Sequence, residues 1–344
     1  METRVLERLF HAWERRLAAA SDGERVVRPF EWGLEWIGSN GHGPSAGPLA
    51  AIDAWVDRAM ADSDRFYACP PTDAYELDGA WLRFPSVIET PHPENNLVRA
   101  QLFPADAARA RGRRRAVLVL PQWNADQSGH VGLCRLLARV GVTALRLSLP
   151  YHDARMPPEL ARADYIVSAN VGRTAEVCRQ AVVDARRALA WLDRQGYQRL
   201  GILGTSLGSC LAMLTAAHEP LVKTAALNHI SPYFADVVWE GLSTAHVRRG
   251  IESHIDLDRL RRCWLPISPL PFIERMRGKR ILLVYARYDL TFPVSLSRRL
   301  VREFADAGIP HRVTVLPCGH YSTGILPFSW MDGFVLTRFL RGNL

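Results

Sequence analysis

The chain has 344 residues, of which 48% are hydrophobic and 23% charged, so it can bury a large core and a wholly disordered chain is excluded. Its net charge of +8 comes from 43 basic and 35 acidic residues. That excess is spread along the chain without interleaved aromatics, which argues against nucleic-acid binding. Six cysteines without a CxxC pair argue against a zinc site or a disulfide framework and favour buried thiols in a reducing compartment.

The first residues do not have the composition of a secretory signal, because Glu2, Glu7 and Glu14 interrupt any apolar core. No apolar run approaches the ~18 residues that a membrane span needs. We therefore expect a cytoplasmic protein.

Residues 3–20 are predicted to form an amphipathic helix with Leu6, Leu9, Phe10, Trp13 and Leu17 on one stripe. The stripe favours docking onto the main domain. Contact with a membrane surface is the alternative, which the acidic residues disfavour. A loop at 38–48 and a helix at 49–65 complete a predicted N-terminal helical extension, residues 1–79.

Strands and helices are predicted from residue 80 onwards. Residues 80–90 and 97–103 should form a hairpin around a turn at 91–96. The predicted strands that follow are 116–120, 142–149, 200–203, 224–227, 281–286 and 312–316. The predicted helices between and after them are 131–140, 172–194, 207–218, 294–307 and 331–340. This alternation predicts an α/β fold with a mostly parallel sheet covered on both faces. In such sheets the functional site lies at the carboxyl ends of the strands.

The strongest motif is Gly204-Thr-Ser206-Leu-Gly208, which lies between a predicted strand and a predicted helix. A nucleophile elbow requires this order, because the tight turn needs small residues on both sides and lifts the serine hydroxyl above the sheet. A second Gly-x-Ser-x-Gly motif surrounds Ser45, but it lies in a Pro-rich loop with no preceding strand. We therefore predict Ser206 as the nucleophile and Ser45 as structural.

A serine nucleophile needs a base and an acid that orients the base. His320 and Asp289 each follow a predicted strand, and the chain order Ser206, Asp289, His320 is the hydrolase order. A loop histidine and a helix cap are the alternative interpretations of these two residues. Asp236 is the second candidate for the acid.

The motifs Gly-Thr-Ser-Leu-Gly, Tyr-Asp-Leu-Thr-Phe-Pro and Cys-Gly-His occur in that order, and residues 80–344 resemble the α/β-hydrolase superfamily. The resemblance implies an α/β-hydrolase fold and a catalytic triad of Ser206, Asp289 and His320. Serine at the elbow argues against the haloalkane dehalogenases and epoxide hydrolases, which use aspartate there.

The resemblance also implies an oxyanion hole formed by the backbone N–H of Leu207 and a second N–H from the loop after strand 116–120. The superfamily often has His-Gly there, whereas this chain has Pro121-Gln-Trp, so alignment assigns the second donor to Trp123. The Gln122 side chain could instead donate, and the Trp123 indole could instead line the acyl pocket.

Tyr151 and His152 follow the next strand and are predicted to bind substrate, with a structural turn as the alternative. His152 and Asp153 have no apparent third partner, so no metal site is predicted. Residues 229–278 are predicted to insert a cap over the active-site mouth. Its aromatic residues either form an apolar substrate pocket or pack the cap onto the domain.

These features predict a serine esterase or lipase-like carboxylic-ester hydrolase that acts on a small-molecule or lipid ester. No cofactor is expected, since the chain has neither a dinucleotide-binding nor a P-loop motif. The alternatives are an acyltransferase or amidase with the same triad, and a catalytically silent binding protein of the same fold. The oligomeric state cannot be predicted from these features.

Overall fold

The computed structural model describes residues 2–20, 25–38, 47–110, 112 and 114–344. Ser45 and most of the loop predicted at 38–48 lie outside these residues. The predicted alternation of strands and helices is confirmed, with bounds that differ by a few residues.

The described residues form nine strands in a single sheet. The strands are β1 (Glu76–Asp78), β2 (Trp81–Pro85), β3 (Leu97–Phe103), β4 (Arg115–Leu120), β5 (Thr143–Leu147), β6 (Arg199–Thr205), β7 (Val222–Asn228), β8 (Arg280–Ala286) and β9 (Arg312–Leu316). Their spatial order is β1-β2-β3-β5-β4-β6-β7-β8-β9. The pairs from β5 to β9 are parallel, and β1, β2 and β3 form an antiparallel edge.

Thirteen α-helices and several short 3₁₀ helices accompany these strands in the described part of the chain. They are α1 (Glu2–Ala19), α2 (Gly47–Ala61), α3 (Ser63–Phe66), α4 (Pro93–Asn96), α5 (Ala107–Ala110), α6 (Val131–Arg139), α7 (Val171–Arg194), α8 (Leu207–His218), α9 (Phe234–Glu240), α10 (Ala245–Ile251), α11 (Leu257–Cys263), α12 (Val294–Asp306) and α13 (Phe328–Asn343). The predicted hairpin is present, and the short helix α4 lies in its turn.

Side chains of the central strands alternate between two buried layers, as strand geometry requires. In β4, Leu118 and Leu120 join the core that includes α7 and α8, whereas Val117 and Val119 join the core that includes α6 and α13. Because both faces are covered, β4 is buried along its whole length, and its sequence Arg-Ala-Val-Leu-Val-Leu is nearly all apolar.

The N-terminal segment packs against both layers. Trp55 of α2 belongs to the α7–α8 core, and Phe10 of α1 packs against the α6–α13 core. The Phe10 ring stacks on Tyr288 with centroids 4.4 Å apart, and Trp13 lies against Phe328. Phe10 and Trp13 of the predicted stripe therefore contact the domain, whereas Leu6 and Leu9 of the same stripe are exposed. No helix in the described part of the chain has the length and apolar character that a membrane span requires.

Three α-helices, α9 to α11, and short 3₁₀ turns make up the stretch between β7 and β8 that was predicted to form a cap. Trp264 in this stretch is fully buried, and its indole N–H donates to the Val171 carbonyl 3.0 Å away. Phe234 packs edge-on against the same indole. Trp264 therefore packs the segment onto the domain, whereas Phe234 also lines the cavity to which Ser206 is exposed. The domain boundaries themselves stay a prediction.

A buried ion pair fixes the segment that follows β5. The Arg155 guanidinium is fully buried, lies 2.8 Å from Asp184 of α7, and donates to the carbonyls of Asn95 and Ser148. Removing one partner of such a pair leaves an uncompensated buried charge. We therefore expect Arg155→Met to lower the free energy of unfolding by about 3–5 kcal/mol in urea denaturation.

Arg248 of α10 provides the matched control, because its pair with Glu252, the residue after that helix, is exposed. Arg248→Met also removes the guanidinium from the Trp239 ring, and the two losses together should change the same free energy by only about 1 kcal/mol. Equal effects of the two substitutions would show that Arg155 does not depend on its buried partners.

Candidate active site

The turn between β6 and α8 holds Ser206 in a strained backbone conformation. Ser206 has φ 56° and ψ −123°, a region that non-glycine residues rarely adopt, and its N–H donates to the Asn228 carbonyl 2.8 Å away. Such strain is typical of a nucleophile elbow, which presents the side chain at the top of the sheet.

Two glycines make this turn possible. A Cβ at Gly204 would collide with the backbone of Gly208, and one at Gly208 would collide with the Leu120 and Pro121 carbonyls at the end of β4. The small residues that the motif predicts on either side of the serine are therefore required by backbone packing.

His320 follows β9 and Asp289 follows β8, so both lie at the carboxyl edge of the sheet as predicted. The Nδ1 atom of His320 is 2.9 Å from Oδ2 of Asp289, and the Phe292 ring stacks parallel to the imidazole. The other carboxylate oxygen, Oδ1, accepts the N–H groups of Thr291 and Phe292 at 2.8 and 2.7 Å.

A second histidine, which the sequence analysis missed, binds the same carboxylate. His229 directly follows β7, and its Nδ1 is 3.0 Å from Oδ2 of Asp289. It is buried, and its Nε2 has no hydrogen-bond partner among the described residues. Its position after a strand was the available signal, because that criterion selected Asp289 and His320.

The protonation of this group follows from its contacts. Burial raises the pKa of Asp289, but the charges and hydrogen bonds of His320 and His229 outweigh it and hold that pKa well below its usual range. An ionised carboxylate only accepts hydrogen bonds, so both Nδ1 atoms must be donors. Burial lowers the pKa of His320, but the Asp289 charge and hydrogen bond outweigh it and raise this pKa above its usual value.

Ser206 and His320 line the same cavity, which has a volume of about 1430 Å³. In the described part of the chain, the Ser206 hydroxyl makes no hydrogen bond. Catalytic hydrogen bonds are often long or poorly aligned without substrate. The contact between this hydroxyl and His320 therefore remains a prediction.

Leu207, Trp123 and Gln122 also line this cavity. Leu207 is the first residue of α8, and the first N–H groups of a helix have no acceptor within it. The Trp123 indole N–H donates to the Ala163 carbonyl 2.8 Å away, and Oε1 of Gln122 is buried without a partner. The structure thus brings both predicted oxyanion residues to the cavity that contains Ser206.

Tyr151 and His152 do not belong to the cavity wall. The Tyr151 hydroxyl is 3.0 Å from Nδ1 of His92, and burial raises the pKa of Tyr151 to about 12. Nε2 of His152 accepts the Asn124 N–H, and burial lowers the pKa of His152 to about 4. These contacts are those of a structural turn, the alternative to the predicted substrate-binding role of both residues.

Asp236, the second candidate for the acid, is bound instead by Arg261 from α11, and its Oδ2 lies 3.8 Å from Arg299. It makes no contact with His320 in the described part of the chain. Asp289 is therefore the acid that the geometry favours.

Among the residues that the structure describes, three have ligand atoms close enough to hold a metal ion: His229, Asp289 and His320, with those atoms within 4.8 Å of one another. Both Nδ1 atoms are already hydrogen-bonded to Asp289, so a metal bound through them would have to displace these contacts. The arrangement fits proton transfer without such rearrangement.

The close packing of the elbow predicts a strong effect of one methyl group. Gly208→Ala forces a Cβ into the end of β4 and should lower the free energy of unfolding by about 1–3 kcal/mol, measured in urea. Gly132→Ala on α6 is the control, since its Cβ would meet nothing within 4 Å. It should raise that free energy by about 0.5–1 kcal/mol. A Gly208 variant as stable as the native protein would contradict the packing described here.

Comparisons with known proteins agree with this architecture. Residues 109–247 match the family model described as "Alpha/beta hydrolase domain containing 18", a match that includes the elbow and covers less than half of the chain. A search of curated proteins found no significant match.

Solved structures are similar at low sequence identity. The acetyl xylan esterase from Paenibacillus sp. R4 has a TM-score of 0.61 and 15% identity over 90% of this chain and 99% of its own. The Pyrobaculum calidifontis esterase has a TM-score of 0.51 and 16% identity over 91% of this chain and 99% of its own. The Pyrococcus horikoshii acylaminoacyl peptidase has a TM-score of 0.60 and 13% identity, and the match covers 79% of this chain. This chain spans only 42% of the length of that peptidase. The present chain has the α/β-hydrolase fold.

Proposed function

We propose that the protein is a serine hydrolase that cleaves a carboxylic ester through Ser206, His320 and Asp289. The observation that carries the proposal is the strained turn that presents Ser206 to a cavity shared with His320, whose other ring nitrogen is bound to an ionised Asp289. A strained serine beside an oriented histidine is the arrangement that nucleophilic catalysis needs.

In the proposed reaction, Nε2 of His320 takes the Ser206 proton as Oγ bonds to the ester carbonyl carbon. The C–O bond to the alcohol then breaks, and His320 donates that proton to the leaving oxygen. Water attacks the acyl-enzyme with His320 again as the base, and this step releases the acid and restores the serine. Asp289 stabilises the imidazolium formed in each half of the cycle.

The carbonyl oxygen becomes negatively charged during each attack. We propose the N–H groups of Leu207 and Trp123 as its donors, since both residues line the cavity beside Ser206. We assign His229 a supporting role. It binds Oδ2 of Asp289 alongside His320, and this additional hydrogen bond stabilises the ionised form of Asp289.

Two of the similar solved structures named above are esterases, which supports ester cleavage over other acyl transfers. The third is a peptidase on the same fold, so amide cleavage is the alternative, together with transfer to an acceptor other than water. A panel of acyl esters and acyl amides distinguishes these activities.

Labelling with a fluorophosphonate probe tests the nucleophile directly. We expect the native protein to be labelled and Ser206→Ala not to be labelled. That variant should also lose roughly 10⁴–10⁶-fold in kcat on any ester that the native protein cleaves. Ser45→Ala is the matched control from the second Gly-x-Ser-x-Gly motif and should be labelled at the native rate.

Variants of the two histidines identify the base. His320→Asn should lose about as much activity as Ser206→Ala. His229→Asn should lose much less, because His320 remains in that variant as the base. A folded native protein that resists the probe would contradict the proposal. So would an active His320 variant.

The pH dependence of kcat/KM tests the environment of His320. The base must be neutral to accept a proton, and Asp289 raises the pKa of His320 although burial opposes it. We therefore expect kcat/KM to fall as the pH decreases, with a midpoint above the usual histidine value of about 6.5. A midpoint clearly below that value would show that Asp289 does not stabilise the imidazolium.

A further inference from the structure

A buried carboxylate from the first helix lies beside the His320 loop. Glu14 of α1 is fully buried and, in the described part of the chain, makes no ion pair. Burying an ionised carboxylate without strong hydrogen bonds is costly, so such groups are rare unless their partners are provided.

The partners of Glu14 are the two residues that follow His320. Oε2 accepts the Tyr321 N–H at 2.8 Å, and Oε1 accepts the Ser322 N–H at 2.9 Å and the Ser322 hydroxyl at 2.7 Å. Charge-assisted hydrogen bonds of this kind are stronger than those between neutral groups. The carboxylate therefore fixes the backbone directly after His320.

The residue before His320 is tied to the same carboxylate. The Gly319 N–H donates to Oγ of Ser322 at 2.8 Å, and that hydroxyl donates in turn to Glu14. A Cβ on Gly319 would collide with the Glu14 side chain. The glycine of the Cys-Gly-His motif is therefore explained by the close approach of α1, and the loop is held on both sides of the histidine.

The same helix contacts the Asp289 loop. Phe10 of α1 stacks on Tyr288, the residue before Asp289, and the Tyr288 N–H donates to the Cys318 carbonyl at 2.9 Å. Beyond α1, Nη2 of Arg25 donates to the Tyr321 hydroxyl at 2.7 Å. The N-terminal segment thus packs against both loops that would supply the base and the acid.

We propose that Glu14 is a positioning residue for His320, so that the N-terminal helix supports the active site and is not only an addition to the fold. The inference rests on the proposed function, because it assigns Glu14 to the base of that reaction. Glu14 touches neither substrate nor reacting atoms in this proposal. It acts through the Tyr321 and Ser322 backbone.

Glu14 also has an electrostatic effect that a purely structural residue would not have. Burial lowers the pKa of His320, Asp289 raises it most, and the Glu14 charge raises it further. Besides Asp289 and Glu14, the ionisable side chains against the imidazole in the described part of the chain are His229, with its ring centroid 4.7 Å away, and Tyr321, with its ring centroid 6.0 Å away. Removing the Glu14 charge should therefore make His320 easier to deprotonate.

The test measures the second-order rate of fluorophosphonate labelling against pH in the full chain, which requires no knowledge of the natural substrate. Glu14→Gln should lower the plateau rate by roughly 10- to 100-fold, because small misplacements of a catalytic group have effects of this size. It should also move the acid-side midpoint to lower pH. Glu7→Gln, on an exposed position of the same helix, should change neither quantity.

Ser322→Ala separates position from charge. It removes the hydroxyl that links Gly319 to Glu14 but keeps the carboxylate, so the plateau rate should fall while the midpoint stays at the native pH. If Glu14→Gln proves unfolded in a thermal melt, this variant decides the question, and a native plateau rate would overturn the inference.

A folded Glu14→Gln variant with the native plateau and midpoint would also overturn the inference and leave the proposed function intact. Absence of labelling in the native protein would overturn the proposed function, and this inference with it.

Discussion

The candidate active site is organised around one buried carboxylate, that of Asp289. It accepts hydrogen bonds from two imidazoles on one oxygen and from two backbone N–H groups on the other. A buried charge with four donors remains ionised, and it fixes the orientation of the groups that donate to it. Because these donors come from the segments that follow β7, β8 and β9, the carboxylate joins three neighbouring strand ends into one site.

The parallel sheet makes this convergence possible. Strands β6 to β9 lie side by side in chain order, so residues that are over a hundred positions apart meet at one edge. The fold and most element bounds could be predicted because hydrophobic periodicity and turn residues are local signals. The elbow could be predicted for the same reason, since the tight packing of a single turn requires glycine at positions 204 and 208.

Other parts of the site could not be predicted, because their reasons are not local. Glu14 appeared only as one of the acidic residues that argue against a secretory signal, and its partners at 321 and 322 lie more than 300 residues away. Tyr151 and His152 follow a strand as the site residues do, but β5 lies beyond β4 from the elbow, and their side chains turn into buried hydrogen-bond networks. Position after a strand is therefore a necessary signal for this site and not a sufficient one.

The contact between Glu14 and the loop at 319–322 has a consequence for folding. More than 300 residues separate the carboxylate from its hydrogen-bond donors in that loop. Without those donors, α1 cannot bury Glu14 except at the cost of an unpaired charge, so the docking of α1 depends on the folded loop. Contacts of such long sequence separation also slow folding, because the chain between them loses entropy before they form. The docking of α1 and the geometry around His320 are therefore coupled.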